Sequence, residues 1–239
     1  MCEPESMSSG RTGPKERGIC STWNRTSTLS LRQSRSIDVC LLFPGGSSLK
    51  RYLMKKVLVV SGHTDLKNSV ANSTILGILK EKLPGAEFDL LDSLYPDFRI
   101  DVKAEQEKLL NADVIVLQFP IYWFSMPSLL ERWIEDVFLH GWAYGSTGDR
   151  LKGKVLIDSY TTGSPETAYQ KNGPVGHTMD EFLIKTPVIA GFCGMKYAGH
   201  VYSGGMAWMA LGANEAAKEQ VRAKAAVHAE KLVKLIESL

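Results

Sequence analysis

The sequence from residue 54 onward predicts an α/β protein, a five-stranded parallel sheet with helices on both faces. Two observations predict it. Short β-branched runs alternate with longer segments whose apolar residues recur at helical spacing, and such alternation joins parallel strands through crossover helices. Several of those strands also end in hydroxyl-rich or aromatic loops, and open α/β sheets bind their ligands at the carboxyl edge of the strands.

The elements follow in order. Val57 to Val60 is a buried strand that enters a loop at Ser61, Gly62 and His63. Ser69 to Lys82 is a helix with Ile75, Leu76, Ile78 and Leu79 on one side, and Pro84-Gly85 stops it. Phe88 to Leu91 is a short second strand, Val102 to Asn111 a polar helix, and Val114 to Phe119 a third strand. Pro127 opens an amphipathic helix to Leu139, and Val155 to Tyr160 is the fourth strand. A helix from Met179 to Cys193 is expected to bend at Pro187. Lys196 to Ser203 is the fifth strand. Asn214 to Ser238 closes the chain as a long helix with Val221, Ala225, Val227, Leu232 and Leu235 turned to the sheet. No internal repeat occurs, so one domain, 54–239, is expected.

Residues 1–53 differ in kind. They are rich in Ser and Arg, show no strand or helix period, and hold eight Lys/Arg against four Asp/Glu. They are expected to be a disordered extension or a mis-called start, with Met54 as the native one. Val39 to Phe43 is too short for a secretory signal, and Glu3, Glu5 and Glu16 argue against a transit peptide. A net charge of +2 gives no field for nucleic acid. No apolar run approaches the ~20 residues of a membrane span. Three of the four cysteines lie before residue 54, so Cys193 stands alone in the folded region. That pattern suggests a reducing compartment, hence the cytoplasm.

Three junctions carry the chemistry. At the first, SGHTDLKNSVAN (Ser61 to Asn72), the new helix offers unpaired backbone N–H groups and a positive dipole end, suited to an anion. Simple capping by Asn68 or Ser69 is the competing reading. No G-x-G-x-x-G occurs there. At the second, Tyr122-Trp123-Phe124 cannot all face one interior, because strand side chains alternate. They are expected either to line a flat ring at the sheet edge or to form a core or interface cluster. At the third, Thr161, Thr162, Gly163 and Ser164 precede a Gly/Pro loop carrying Tyr169 and His177, a phenol and an imidazole able to relay protons. A packed Tyr and a solvated His fit that loop equally. Gly148 to Lys154 spells G-x-x-x-x-G-K, but it precedes a strand and lacks the magnesium-binding Ser/Thr, so it is a surface loop. The histidines are scattered without metal-ligand spacing, so no metal is expected.

These stretches, with LYPDFRIDVKAEQE (Leu94 to Glu107) and HGWAYG (His140 to Gly145), resemble the flavodoxin-like NAD(P)H:quinone oxidoreductases, the DT-diaphorase family. The resemblance is to the small FMN-containing branch, which includes general stress oxidoreductases and the ancillary subunit of glutathione-gated potassium efflux systems. It implies flavin phosphate and ribityl contacts from His63, Ser69, Val70, Ala71 and Asn72. It puts Pro120, Ile121, Tyr122, Trp123 and Phe124 along the isoalloxazine, and Thr161, Thr162, Gly163 and Ser164 at its pyrimidine end. Tyr169 and His177 resemble the catalytic Tyr/His pair of larger members, although their spacing differs and TTGS replaces TTGG. The implied cofactor is FMN, with FAD as the alternative, reduced by NADH or NADPH. Ping-pong transfer of two electrons to quinones or similar flat acceptors follows. The resemblance also implies a homodimer, in which Trp142 and Tyr144 are interface, pocket-wall or core residues. Two further readings are a regulatory subunit on the cytosolic face of an efflux channel and a one-electron flavodoxin-type carrier.

Overall fold

The computed structural model describes residues 55–239. The extension expected over residues 1–53 lies outside the described residues. Five strands, β1 (Val57–Ser61), β2 (Glu87–Leu90), β3 (Val114–Pro120), β4 (Val155–Thr161) and β5 (Lys196–Ser203), form one parallel sheet in the order β2-β1-β3-β4-β5. This is the doubly wound arrangement whose strand order reverses between β1 and β3. Seven α-helices join them among the described residues: α1 (Val70–Lys82), α2 (Leu91–Leu94), α3 (Val102–Asn111), α4 (Ser128–Val137), α5 (Met179–Phe182), α6 (Lys185–Phe192) and α7 (Glu215–Glu237).

Strand alternation divides the core in two. Val57, Val59, Val114, Val116, Val155 and Ile157 pack against Ile75, Leu76 and Leu79 of α1 and Ala225, Ala229 and Leu232 of α7. Leu58, Val60, Ile115, Leu117, Phe119 and Leu156 meet Leu109 of α3, Leu129, Leu130 and Trp133 of α4, and Ala190 of α6. Each fully buried Leu or Ile contributes about 1.5–3 kcal/mol. Gly62 leaves β1 so close to α4 that an added Cβ would lie 2.6 Å from Leu130 Cβ. No larger residue fits there without moving the helix.

Most expected elements stand within a residue or two, and β5 has the expected ends. Two differ. Leu91 begins the short helix α2 instead of ending β2. The helix expected across 179–193 is two helices, broken at Leu183–Ile184 and not bent at Pro187. The proline explains the position. Its ring would collide with the carbonyl of Leu183, four residues back, and it has no N–H to bond there. The chain therefore restarts, placing Pro187 in the first turn of α6, where an N–H has no partner anyway. The Gly148–Lys154 stretch is turn and loop leading into β4, as expected.

Candidate functional site

A cleft of about 370 Å³ opens at the carboxyl ends of β1, β3 and β4. The strand reversal creates it, because the loops after β1 and β3 depart toward opposite faces. The loop after β1 supplies His63, and the start of α1 supplies Ser69, Val70, Ala71 and Asn72. The end of β3 brings Pro120, Ile121 and Tyr122, and the end of β4 brings Thr161, Thr162 and Gly163.

Ser69 caps α1: its Oγ accepts from the Asn72 backbone N–H and side-chain Nδ2, both at 3.2 Å. Both earlier readings of this junction are therefore compatible. The cap occupies one amide, while the amides of Val70 and Ala71 have no intrahelical acceptor. Buried Asn72 also donates to Thr161 Oγ1 at 3.2 Å and accepts from Gln118 Nε2 at 2.8 Å. It ties the helix terminus to β3 and β4, so the amide-rich end of α1 is held over the sheet edge.

His63 is buried, and its Nδ1 accepts the Asp65 amide N–H at 3.0 Å. Burial pushes the imidazole pKa down against the opposing pull of Asp92 and Asp65. The ring is thus neutral with its proton on Nε2, which lies 3.5 Å from the Tyr122 hydroxyl. Tyr122 stands half-exposed, edge-on to that imidazole. Burial raises the phenol's pKa, so both groups meet the cleft as neutral donors.

After Tyr122 the chain reverses in a two-residue hairpin. Tyr122 N–H donates to Ser125 O at 3.1 Å, and Ser125 N–H returns to Tyr122 O at 3.0 Å. Trp123 and Phe124 sit at φ 48° and 63°, left-handed conformations that usually require Gly or Asn. Each costs of order 1–3 kcal/mol. The turn is anchored where Ser125 Oγ donates to Glu131 Oε1 at 2.9 Å, and Lys185 pairs with the same carboxylate.

Comparison with known proteins agrees with this architecture. A family model described as flavodoxin-like fold matches residues 55–231. The chain belongs to the flavodoxin-like fold family. It is 42% identical over 142 residues to an uncharacterized NAD(P)H oxidoreductase, YrkL, of Bacillus subtilis strain 168, covering 59% of this chain and 81% of the relative. It is 39% identical over 141 residues to the glutathione-regulated potassium-efflux system ancillary protein KefF of Enterobacter sp. strain 638, covering 59% and 78%. Among solved structures it resembles general stress protein 14 of Treponema denticola in complex with FMN, with 30% identity and a TM-score of 0.66. That match covers 76% of this chain and 99% of the other.

Not every expected residue reaches the cleft of this flavodoxin-like sheet. Trp123 projects outward, 94% exposed, and Phe124 leans on Phe182 with ring centroids 5.1 Å apart. Ser164 turns its carbonyl to the Gly205 N–H and the Thr162 hydroxyl, supporting the loop after β5. Tyr169 and His177 lie outside the cleft lining but flank the same ring, Phe182, at 6.5 and 5.9 Å. His177 is exposed, 3.4 Å from the Glu181 carboxylate. Lys171 and the Thr178 amide hold that carboxyl down to about 2. Trp142 and Tyr144 are half-buried against the core, Tyr144 meeting Phe192 at 4.8 Å.

Residues not foreseen complete the cleft. Met206, Ala207, Trp208 and Met209, from the loop between β5 and α7, form its far wall. Gly204-Gly205 ahead of them was a usable signal, since Gly205 adopts φ 68° at the turn that sends this wall over the cleft. Lys218 lies 4.9 Å from the Trp208 ring and holds that side chain in place.

Proposed function

We propose that this chain is a flavin-dependent NAD(P)H oxidoreductase, passing two electrons from NADH or NADPH to quinones or similar flat acceptors in a ping-pong cycle. The observation that carries this reading is one cleft with a phosphate-suited helix terminus at one end and a projecting aromatic turn at the other. The residues fit FMN. Unpaired amides of Val70 and Ala71 and the hydroxyls of Ser69 and Thr161, each 3.2 Å from Asn72 Nδ2, suit its phosphate-bearing end, and Thr162 and the neutral His63 suit its hydroxyls and ring edge. The cleft volume falls in the ~300–1,000 Å³ range of small-molecule sites. The FMN held by the Treponema denticola relative supports the mononucleotide over FAD. The YrkL and KefF relatives support the oxidoreductase class and the efflux-subunit alternative respectively.

When bound, the flavin supplies the hydride and electron chemistry. The chain's own part is to bind and orient it. In this reading Ile121 and Tyr122 seat one side of the ring, and the hairpin amides of Trp123 and Phe124 present donors where negative charge develops. Tyr169 and His177 act as a proton relay beside Phe182, with the Glu181 carboxylate orienting the imidazole.

A homodimer completes the site. Its support is an exposed apolar stripe at four-residue spacing, Ile184, Val188 and Phe192, together with exposed Trp123 and Leu139. Phe192→Glu should shift the protein to monomer in sedimentation. The reading is cytoplasmic, supported by the buried free thiol of Cys193; no described helix is long and apolar enough to cross a membrane.

Steady-state kinetics test the cycle. Double-reciprocal plots at several quinone concentrations should be parallel, as ping-pong requires; intersecting lines would contradict it. Co-purification with a membrane cation channel, without turnover of free quinone, would favour the efflux-subunit reading.

A further inference from the structure

The inner face that packs α1 and α7 changes character at the carboxyl end of the sheet. Val57, Val59, Val114, Val116, Val155 and Ile157 give way to Ser61, Gln118 and Ser159, and these three lie side by side in register. A continuous buried hydrogen-bond chain starts there. His228, fully buried on α7, contacts Ser203 Oγ through Nδ1 at 3.0 Å and Ser159 Oγ through Nε2 at 2.8 Å. Ser159 donates to Gln118 Oε1. Gln118 Nε2 donates to Asn72 Oδ1 at 2.8 Å, and Asn72 Nδ2 donates to Ser69 Oγ and Thr161 Oγ1, each at 3.2 Å. The chain ends on two hydroxyls that line the cleft.

Such a chain has two self-consistent polarities. In one, Ser203 donates to Nδ1, the imidazole donates from Nε2, and each member passes its donor forward. Ser69 and Thr161 then receive the Asn72 amide hydrogens and turn their own protons into the cleft. In the other, both amides flip and the imidazole carries its proton on Nδ1. Ser69 and Thr161 then donate backward to Asn72 and show the cleft only lone pairs, which repel an anion. Two amides stand in the path, so the chain transmits orientation and not protons. Burial keeps the imidazole neutral, with its pKa pushed down to about 4. A neutral ring has one proton, and its position selects the polarity.

We propose that His228, which does not line the cleft, is a positioning residue. Through its Nε2–H tautomer it orients the Ser69 and Thr161 hydroxyls as donors to the phosphate-bearing part of the ligand. The proposal rests on the flavin reading above.

The test uses the full-length protein stripped of flavin, with FMN and riboflavin as paired probes followed by fluorescence quenching. His228→Leu should weaken FMN about tenfold, equivalent to about 1.4 kcal/mol, and riboflavin, which lacks the phosphate, less than twofold. His228→Gln, whose amide nitrogen falls near the imidazole Nε2, should restore FMN affinity, while His228→Asn should not. If His228→Leu does not fold, the Gln and Asn variants carry the comparison. Nitrogen-15 NMR of the wild-type FMN complex should show the Nε2–H form. An Nδ1–H form, or an unchanged FMN-to-riboflavin ratio in the folded variants, overturns the proposal while leaving the flavin reading intact. A wild-type chain that binds neither probe overturns both.

Discussion

Two buried polar networks lie on opposite sides of this sheet, and they end differently. Around Glu105 of α3 the network ends inside the protein, at Asp89, whose Oδ2 has no partner and whose pKa burial raises to about 7. The Glu105 carboxylate accepts from the Tyr95 hydroxyl, Trp133 Nε1 and Lys108 Nζ, each at 2.7 Å, and Lys108 also pairs with Asp89 at 2.6 Å. Although burial opposes it, these donors hold the Glu105 carboxyl below its ordinary pKa. The network around Gln118 instead terminates on the Ser69 and Thr161 hydroxyls in the cleft. The enclosed network fastens α3 to α4 and the neighbouring loop. An open one leaves donors for a ligand to complete, and that difference separates scaffold from site.

Four substitutions break or sharpen this contrast. Glu105→Ala strands the Trp133, Tyr95 and Lys108 donors and should destabilise the fold by about 3–5 kcal/mol in urea unfolding. The affinity of the folded fraction for FMN should be unchanged; a parallel loss of affinity would erase the distinction between the networks.

Asp158, buried on the α6 side of β4, is a third case. Its Oδ2 accepts from the Tyr197 hydroxyl at 3.1 Å, but its Oδ1 and the hydroxyl of Thr186 have no partner. Burial raises its pKa from 3.8 to about 7, against the Tyr197 hydroxyl, which favours the ionised form. The folded state thus holds a proton that the unfolded chain releases above pH ~4, so stability falls as pH rises from about 4 to about 7. Asp158→Asn should gain up to about 3 kcal/mol at pH 8, with the gain vanishing near pH 4 in thermal melts. A pH-independent difference would show that the missing partner is not supplied by a proton.

Asn72→Ala removes the hub of the open network. It should lower stability by about 2 kcal/mol and FMN affinity at least tenfold; loss of stability alone would make the hub merely structural. Trp123→Gly is the smallest effect and has the opposite sign. Relief of its left-handed backbone should add about 1 kcal/mol, visible as a higher Tm, with flavin binding unchanged because the side chain points away from the cleft. A lower Tm would mean that the aromatic side chain stabilises the turn.

The sequence shows some of these features and hides others for physical reasons. β-Branched runs such as Val57–Val60 declare their strands, because a strand buried on both faces has little choice of residue. Helix α2 is four residues long, too short to show a period. Trp123 and Phe124 were legible as unusual but not as left-handed, since that backbone ordinarily announces itself through Gly or Asn. The Met206–Met209 wall is apolar and reads as core until the sheet edge is in view. The open network did leave a trace: along β3 and β4 the inward positions change from Val or Ile to Gln118 and Ser159 just before each strand ends. His228 gave none, because one histidine on the inner face of a long helix looks like any other buried residue.

The most direct measurement of the central claim is the absorbance spectrum of the purified protein, with the released cofactor identified by mass and NADH or NADPH then added without oxygen. An FMN spectrum, present at once or appearing on addition of FMN, should bleach in one two-electron step. A colourless protein that also refuses FMN would contradict the claim.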